Sequence, residues 1–520
     1  MSRVKKSLKN AKVGVFFFII SIFVQFFSRK LFLDNLGDEF IGLETTLRSV
    51  LGFLNLAELG IGTAIGFTLY KPIFDENHKE INKIIALLGV LYRKIGYCII
   101  GVAVIVSLFF PFIFDTSETG ELSNFSLLLI YFVFYTLLFS SLLSYFANFH
   151  QSLLGADQKG YIIQGYFQTI NIIRVILQAI VAVYFKDFYL YIILELIFSI
   201  IYSVFVRKKI KQEYPWLIIN SSEKAKIIKE YPDIIKKIKQ VFVHKMSSFV
   251  KNGTDNILVA ALVSIESVAF FGNYQLIFTK LGGLVKMAFA GTGSAVGNLI
   301  AEDNAENIKK IFWELMAVQF FIAGFFSLIM YFTMEPLIIF WIGAKYILAK
   351  TTLILLIANF FIFQIASPVE RFKNAYGLYQ DTWAAAAEAI INLTISLIFG
   401  SIWGIDGIIL GTLVSLILIV VIWKPYFLYK HGFKKSVWIY WKGILPVTIV
   451  FSLAALLVNF TANYVTYDRE TSGIINWILY ATIITAIVTV IYGTLLFIFV
   501  DGFRVFVFRM RDLLTKKLFK

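Results

Sequence analysis

The chain has 520 residues, of which 59% are apolar and only 16% charged, yet its formal net charge is +15. A soluble globule must keep a wettable surface and cannot absorb this much apolar side chain. Disorder, collagen and coiled coils are excluded by the same composition. What remains is an all-α polytopic membrane protein with its basic charge held outside the lipid.

A membrane-crossing helix needs roughly 20 apolar residues. Fourteen stretches qualify: about 13–33, 41–70, 90–114, 125–149, 161–185, 188–206, 241–263, 267–299, 311–332, 352–372, 382–400, 405–427, 443–463 and 476–500. The first is no signal peptide, because it ends in Ser28-Arg29-Lys30 without a small-residue cleavage site. Basic loops stay in the cytoplasm. With both termini inside, the runs Arg3 to Lys12, Lys71 to Lys83, Arg207 to Lys239, Lys424 to Lys442 and Arg504 to Lys520 all fall inside. Outside loops then hold only Lys186, Lys345, Lys350 and Arg469.

The loops are too short for a folded domain. The chain has no phosphate-cradling G-x-x-x-x-G-K-[ST] loop, which excludes a fused ATP-driven motor. Cys98 is the one cysteine, and His78, His150, His244 and His431 lack ligand spacing, so neither a metal nor a cofactor is expected. Topology accounts for the basic loops, so no nucleic acid partner is expected either. In the tail, 501–520, Phe503, Phe506, Val507, Met510, Leu513, Leu514 and Leu518 recur at helical spacing. Arg504, Arg511, Lys516 and Lys520 lie off that face. This reads as an amphipathic helix on anionic membrane lipids of the inner leaflet.

The chain repeats itself. Gly60-Ile61-Gly62-Thr63-Ala64-Ile65-Gly66 in the second span matches Gly291-Thr292-Gly293-Ser294-Ala295-Val296-Gly297 in the eighth, at an offset of 231. Phe40-Ile41-Gly42 meets Phe270-Phe271-Gly272 at 230, and Asn77, Ile81, Lys83 and Ile84 meet Asn304, Ile308, Lys310 and Ile311 at 227. A period near 230 holds six spans, and an even number preserves orientation. The reading is two six-helix lobes related by a parallel repeat, 1–206 and 241–427, joined by a basic linker, 207–240. Two closing helices lie within 428–500.

A charge at bilayer depth costs about 2.5–3.5 kcal/mol and must face protein or a wet cavity. On a helical wheel, Glu44, Arg48, Asn55, Glu58, Gly62 and Gly66 fall on one narrow stripe of the second span. Glu44 and Arg48, at i and i+4, can pair. His244, Lys245, Lys251, Asn252, Asp255 and Asn256 share a broad polar face of the seventh, where Lys251 and Asp255 are again i, i+4. Lys280 and Lys286 of the eighth lack a nearby acid on their own helix and share a face only if Gly282-Gly283 bends it. Arg174 is solitary in the fifth span, with Glu195 on the sixth as its nearest candidate partner. Arg29 either snorkels or touches substrate. Glu388 has no basic neighbour in its span. The balance of these charges is basic, which suits an anion and phosphate above all.

The run Leu33-Asp34-Asn35-Leu36-Gly37-Asp38-Glu39-Phe40-Ile41-Gly42-Leu43 is followed by Leu54-Asn55-Leu56-Ala57-Glu58-Leu59-Gly60-Ile61-Gly62-Thr63-Ala64, then by Leu69-Tyr70-Lys71-Pro72. Together these resemble the bacterial polysaccharide flippases of the multidrug/oligosaccharidyl-lipid/polysaccharide exporter superfamily. The resemblance implies a polyprenyl-pyrophosphate-linked oligosaccharide as substrate. Alternating access through a cationic cavity would move it from the inner to the outer leaflet of a bacterial cytoplasmic membrane. Arg29, Arg48, Arg174, Lys251, Lys280 and Lys286 are then the candidate substrate residues, and Glu44, Glu58 and Asp255 the candidates for coupling to an ion gradient. Other polysaccharide-assembly proteins are candidate partners. A drug antiporter of the same superfamily and a membrane-embedded polymerase are the alternatives; the second lacks the large outer loop such an enzyme needs.

Overall fold

A computed structural model of the chain describes residues 3–55, 61–117, 120, 122–218, 253–378, 380–465 and 473–518. Their regular structure is all helical, without strands. They divide into two compact units, 1–272 and 273–520.

In unit 1 the longer helices are α1 (Arg3–Leu36), α2 (Asp38–Leu54), α3 (Ile61–Phe74), α4 (His78–Ser107), α5 (Leu127–Phe146), α6 (Gly160–Ile180), α7 (Phe188–Glu213) and α8 (Asp255–Leu262), with short helices at Phe110–Ile113 and Gln151–Ala156. The unit boundary cuts α9 (Ile265–Ala288). Unit 2 continues with α10 (Thr292–Ala301), α11 (Ala305–Trp341), α12 (Lys350–Ile365), α13 (Ser367–Ala375), α14 (Thr382–Trp403) and α15 (Ile405–Ser415). The helical path of α15 runs on, through two wide turns, to Gly432. Then follow α16 (Trp438–Ala462), α17 (Ile474–Phe499) and α18 (Asp501–Leu518). Side-chain caps start several of them: Asn77 Oδ1 accepts from Glu80 N, Asp187 from Leu190 N and Asn304 from Asn307 N, at 3.0, 2.8 and 3.0 Å.

Among the described residues, eleven helical runs are long and apolar enough to cross a membrane, against the fourteen expected. The other three each have a reason. The seventh stretch lies mostly outside the described residues, as do Glu58, Lys251 and most of the 207–240 linker. The eighth is not a single helix: it is interrupted between α9 and α10, at the glycine-rich repeat motif. In the second, α2 ends at Leu54 and α3 begins at Ile61, and 56–60 lie outside the described residues. Hydropathy is blind to a glycine turn, so the eighth run, read as one helix, became two. The stripe through Glu44 and Arg48 is described as helix as far as Leu54. Lys280 and Lys286 share a continuous α9, and the break falls at Phe289–Gly291 rather than at Gly282-Gly283.

The two units carry similar turns at positions that the sequence repeat brings into register. Glu76 and Asp303 both take the left-handed conformation, φ 53° and 54°, and each precedes an asparagine cap. Gln158, before α6, and Gly377, after α13, are also left-handed, φ 57° and 68°.

Packing uses small residues. Gly407 and Gly411 form a G-x-x-x-G face on α15. A Cβ at Gly407 would lie 2.0 Å from the Phe399 carbonyl oxygen, and one at Gly411 2.1 Å from Ser396 Oγ. Ser396 Oγ donates to Ile408 O (2.8 Å) and Asn392 Nδ2 to Thr412 Oγ1 (2.8 Å), locking α14 on α15. The core of unit 2 joins α11 to α16 and α17 through buried Phe312, Phe320, Ala454, Val488 and Tyr492. Gly324 lets the Tyr492 ring approach, and Tyr492 Oη donates to Phe320 O at 2.9 Å. The opposite faces of α16 and α17 expose Leu445, Leu456 and Val490, as lipid-facing helices do. The tail helix α18 docks on α11 as well as carrying basic charge. Phe503 is buried against Phe321, and Arg509 Nη2 pairs with Glu314 Oε2 at 2.8 Å. Its apolar face is thus partly taken up by protein.

His150, beyond the end of α5, stacks on Phe149 with centroids 3.8 Å apart. Burial, and then the Arg207 guanidinium, press its pKa down to about 4. An unfolded histidine titrates near 6.5, so the unfolded chain binds this proton first. Stability is complete above that pH and drains away as pH falls toward 4. The thermal midpoint of the purified protein is expected to fall between pH 7 and pH 5 by the equivalent of about 1–2 kcal/mol. His150→Asn should remove most of this dependence; an unchanged pH profile in that variant would refute the assignment.

Candidate functional site

Unit 1 joins four charged residues into one ladder across three helices. Arg48 on α2 donates from Nε and Nη2 to Glu44 Oε1, at 2.9 and 2.7 Å. Its Nη2 also reaches Glu195 Oε2 on α7, at 2.9 Å. That same carboxylate oxygen pairs with Arg174 on α6. Arg174 Nη2 donates to Asn171 Oδ1 (2.6 Å), one turn earlier on α6, while its Nε is buried without a partner among the described residues. Tyr191 Oη closes the ladder with a long hydrogen bond to Glu44 Oε2 (3.4 Å). The tyrosine ring is wedged edge-on against Phe32 and Phe40, and its carbonyl accepts from Gln178 Nε2.

The ladder follows from helix periodicity. Glu44 and Arg48 are i, i+4 on α2, as are Tyr191 and Glu195 on α7, so each pair projects from one face. Both expected pairs, Glu44–Arg48 and Arg174–Glu195, form. Two carboxylates face two guanidiniums, so the cluster carries no net charge, and neither Arg48 nor Arg174 is the uncompensated cation that its own helix suggests. Arg48 is the exposed end and Glu44 the buried one, with side chains 41% and 10% accessible.

Of the other expected residues the structure describes Arg29, Asp255, Lys280 and Lys286. Arg29, half-buried on α1, donates Nη2 to the Ala269 carbonyl of α9 at 2.9 Å. Asp255 opens α8, and its buried Oδ1 has no hydrogen-bond partner among the described residues. The neighbouring Asn256 Nδ2 donates to Ser49 Oγ on α2 (3.3 Å), which ties α8 beside Arg48. In unit 2, Lys280 is half-buried and Lys286 exposed on α9.

Unit 2 also holds charged groups that reading single helices missed. Lys424 pairs with Glu370 and lies 3.8 Å from Glu388, so Glu388 does have a basic neighbour. Lys373 and Asp381 form a buried pair at 2.7 Å. Arg371 lies over the Phe289 ring, 4.8 Å from its centroid. Each partner stands on a different helix or across a turn, beyond any i, i+4 rule. Among the described residues no cluster of His, Cys, Asp and Glu could hold a metal.

No protein-family model matches the chain, and no curated protein does. Solved structures do. A structure described as the lipid II flippase MurJ in an inward closed conformation superposes with a TM-score of 0.63 at 15% identity, covering 94% of this chain and 98% of that one. An inward-facing multidrug resistance MATE family transporter of the MOP superfamily gives 0.56 at 14% identity, covering 80% of this chain and 97% of its own. A MATE in the bent conformation gives 0.52 at 14%, covering 81% and 94%. The chain is a multi-pass membrane protein with the fold that this lipid flippase and these MOP-superfamily transporters share.

Proposed function

We propose that the protein is a flippase that carries a polyprenyl-pyrophosphate-linked oligosaccharide across the bacterial cytoplasmic membrane by alternating access. The observation that carries the reading is coverage. The lipid flippase spans 94% of this chain, whereas the MATE transporters span 80–81%. The charged groups agree with an anionic headgroup. A pyrophosphate offers several acceptor oxygens and can replace one carboxylate on Arg48 and Arg174. Arg29, Lys251, Lys280 and Lys286 are the further candidate cations.

The neutrality of the ladder gives this proposal a coupling step. A proton on Glu195 or Glu44 releases a guanidinium, and a released guanidinium attracts the substrate. Asp255 and Glu58 are the other coupling candidates. The drug-antiporter reading loses ground because its cargo is commonly cationic, and each carboxylate of the ladder is already held by an arginine.

Arg48→Ala, Arg174→Ala and Lys280→Ala are each expected to lower surface polysaccharide about tenfold in a complementation assay, at normal membrane levels of the protein. Cells without the protein should accumulate the lipid-linked glycan on the inner leaflet. Normal export in all three variants would overturn the site; normal export with raised drug sensitivity in the deletion would favour the antiporter.

A further inference from the structure

Unit 2 holds a cavity in a place that unit 1 fills with its own chain. In unit 1 the chain turns back after Glu213, and Trp216 stacks flat on His78, with centroids 3.9 Å apart and planes 7° apart. Asn82 Nδ2 donates to the Trp216 carbonyl (3.4 Å), and its Oδ1 accepts from Ile218 N (2.9 Å). Tyr214 Oη donates to Asp157 Oδ2 at 2.8 Å. Together they plug the space bounded by the start of α4, the loop before α6 and the end of α7.

The backbone register carries this place into unit 2. The left-handed residue and asparagine cap before α4 recur before α11 at an offset of 227. The left-handed residue before α6 recurs at Gly377, at an offset of 219, and the helical run ending at Glu213 recurs as the run ending at Gly432, at the same offset. By this register Ala305 stands for His78, Lys309 for Asn82, Tyr376 for Asp157 and Lys435 for Trp216. Four of the six plug positions have changed in kind, while Phe433 and Val437 stand for Tyr214 and Ile218, and the space there is a cavity of about 380 Å³. The half-buried rings of Tyr376 and Phe433 supply its aromatic wall, with buried Phe312 and Tyr429 behind them. Lys309, Lys434, Lys435 and His431 also line it, with Asp303 as the one carboxylate among the lining residues. Lys434 sits in the left-handed region, φ 52°, which a lysine rarely adopts without a local reason.

We propose that this cavity binds a nucleoside phosphate. Its base takes the place of the Trp216 ring against the aromatic wall, and its phosphate takes the ammonium groups of Lys309, Lys434 and Lys435. The volume suits a ligand of that size. Stacking on aromatic faces accepts any base, and clustered lysines are good phosphate partners. The lysine-rich loops place the mouth on the cytoplasmic side. A free nucleotide and a nucleotide-linked sugar present the same base and phosphate, and both reach that side. This site is separate from the charge ladder and does not depend on the flippase reading.

The test is calorimetric titration of the full-length protein in nanodiscs with UMP, AMP, UDP-N-acetylglucosamine, uridine and inorganic phosphate. The nucleotides should bind saturably with one site per chain, and uridine and phosphate alone at least tenfold more weakly. A tenfold preference between UMP and the nucleotide sugar identifies the source. Lys309→Ala should weaken UMP at least tenfold, and Lys435→Trp, which rebuilds the plug, should abolish binding. Should Lys435→Trp misfold, Lys309→Ala with an unaltered melting temperature decides alone. Absence of saturable nucleotide binding, binding unmoved by Lys309→Ala, or phosphate binding as tightly as UMP would overturn the proposal.

Discussion

Glu195→Gln is expected to destabilise the protein more than the loss of either arginine it serves. One oxygen of Glu195 holds Arg48 at 2.9 Å and pairs with Arg174. Neutralising it leaves two guanidiniums facing each other, with only Glu44 to compensate. Removing one partner of a buried pair costs roughly 3–5 kcal/mol. Arg48 is 41% accessible, so about 2–3 kcal/mol is expected here. Arg48→Gln should cost less, since Arg174 and Glu195 still match. The sharper check is the double variant Glu195→Gln with Arg174→Gln, which removes a matched pair and should recover most of the loss. Thermal unfolding of the purified variants reads this directly, and a double variant no more stable than Glu195→Gln would refute the ladder.

Gly42→Ala is the second large effect. A Cβ there would lie 2.0 Å from the Ile265 carbonyl oxygen and 2.9 Å from its carbon. These are backbone atoms at the start of α9, so no side chain can swing away. Overpacking against flexible neighbours costs about 1–3 kcal/mol, and about 3 kcal/mol or more is expected against rigid backbone. The helix that must move is α2, which carries Glu44 and Arg48. Transport should fall with stability, and polysaccharide export in cells and melting temperature in detergent should drop together. Gly66→Ala, with nothing within 4 Å of the added carbon, is the matched control and should be nearly silent.

Most of the helices could be read from the chain because apolar runs and helical periodicity report local physics. Glu44 with Arg48 was legible by i, i+4 spacing, and Arg174 with Glu195 by the absence of any closer partner on adjacent spans. Tyr191 was hidden within an apolar stretch, although its spacing of four from Glu195 was a usable signal. The break between α9 and α10 was illegible to hydropathy, which stays high through a glycine turn. Lys424 with Glu370 and Glu388, and Arg371 with Phe289, join residues far apart in the chain. Only tertiary packing places them together. The repeat was legible as sequence, but its most informative difference, Trp216 filling in unit 1 what Lys435 leaves open in unit 2, appears only once both backbones are in register.

The docking of α18 on α11 also says something about how the chain is made. Helix α11 ends at Trp341, and α18 begins at Asp501, about 160 residues later. At roughly 5–20 residues per second, the ribosome takes on the order of 10–30 s to cover that interval. Throughout it Glu314 has no Arg509, and the face of α11 that receives Gly502 and Phe503 stands uncovered. Unit 2 is therefore completed only once α18 has been made, and a nascent chain can be held open to chaperones and quality-control proteases until that helix arrives.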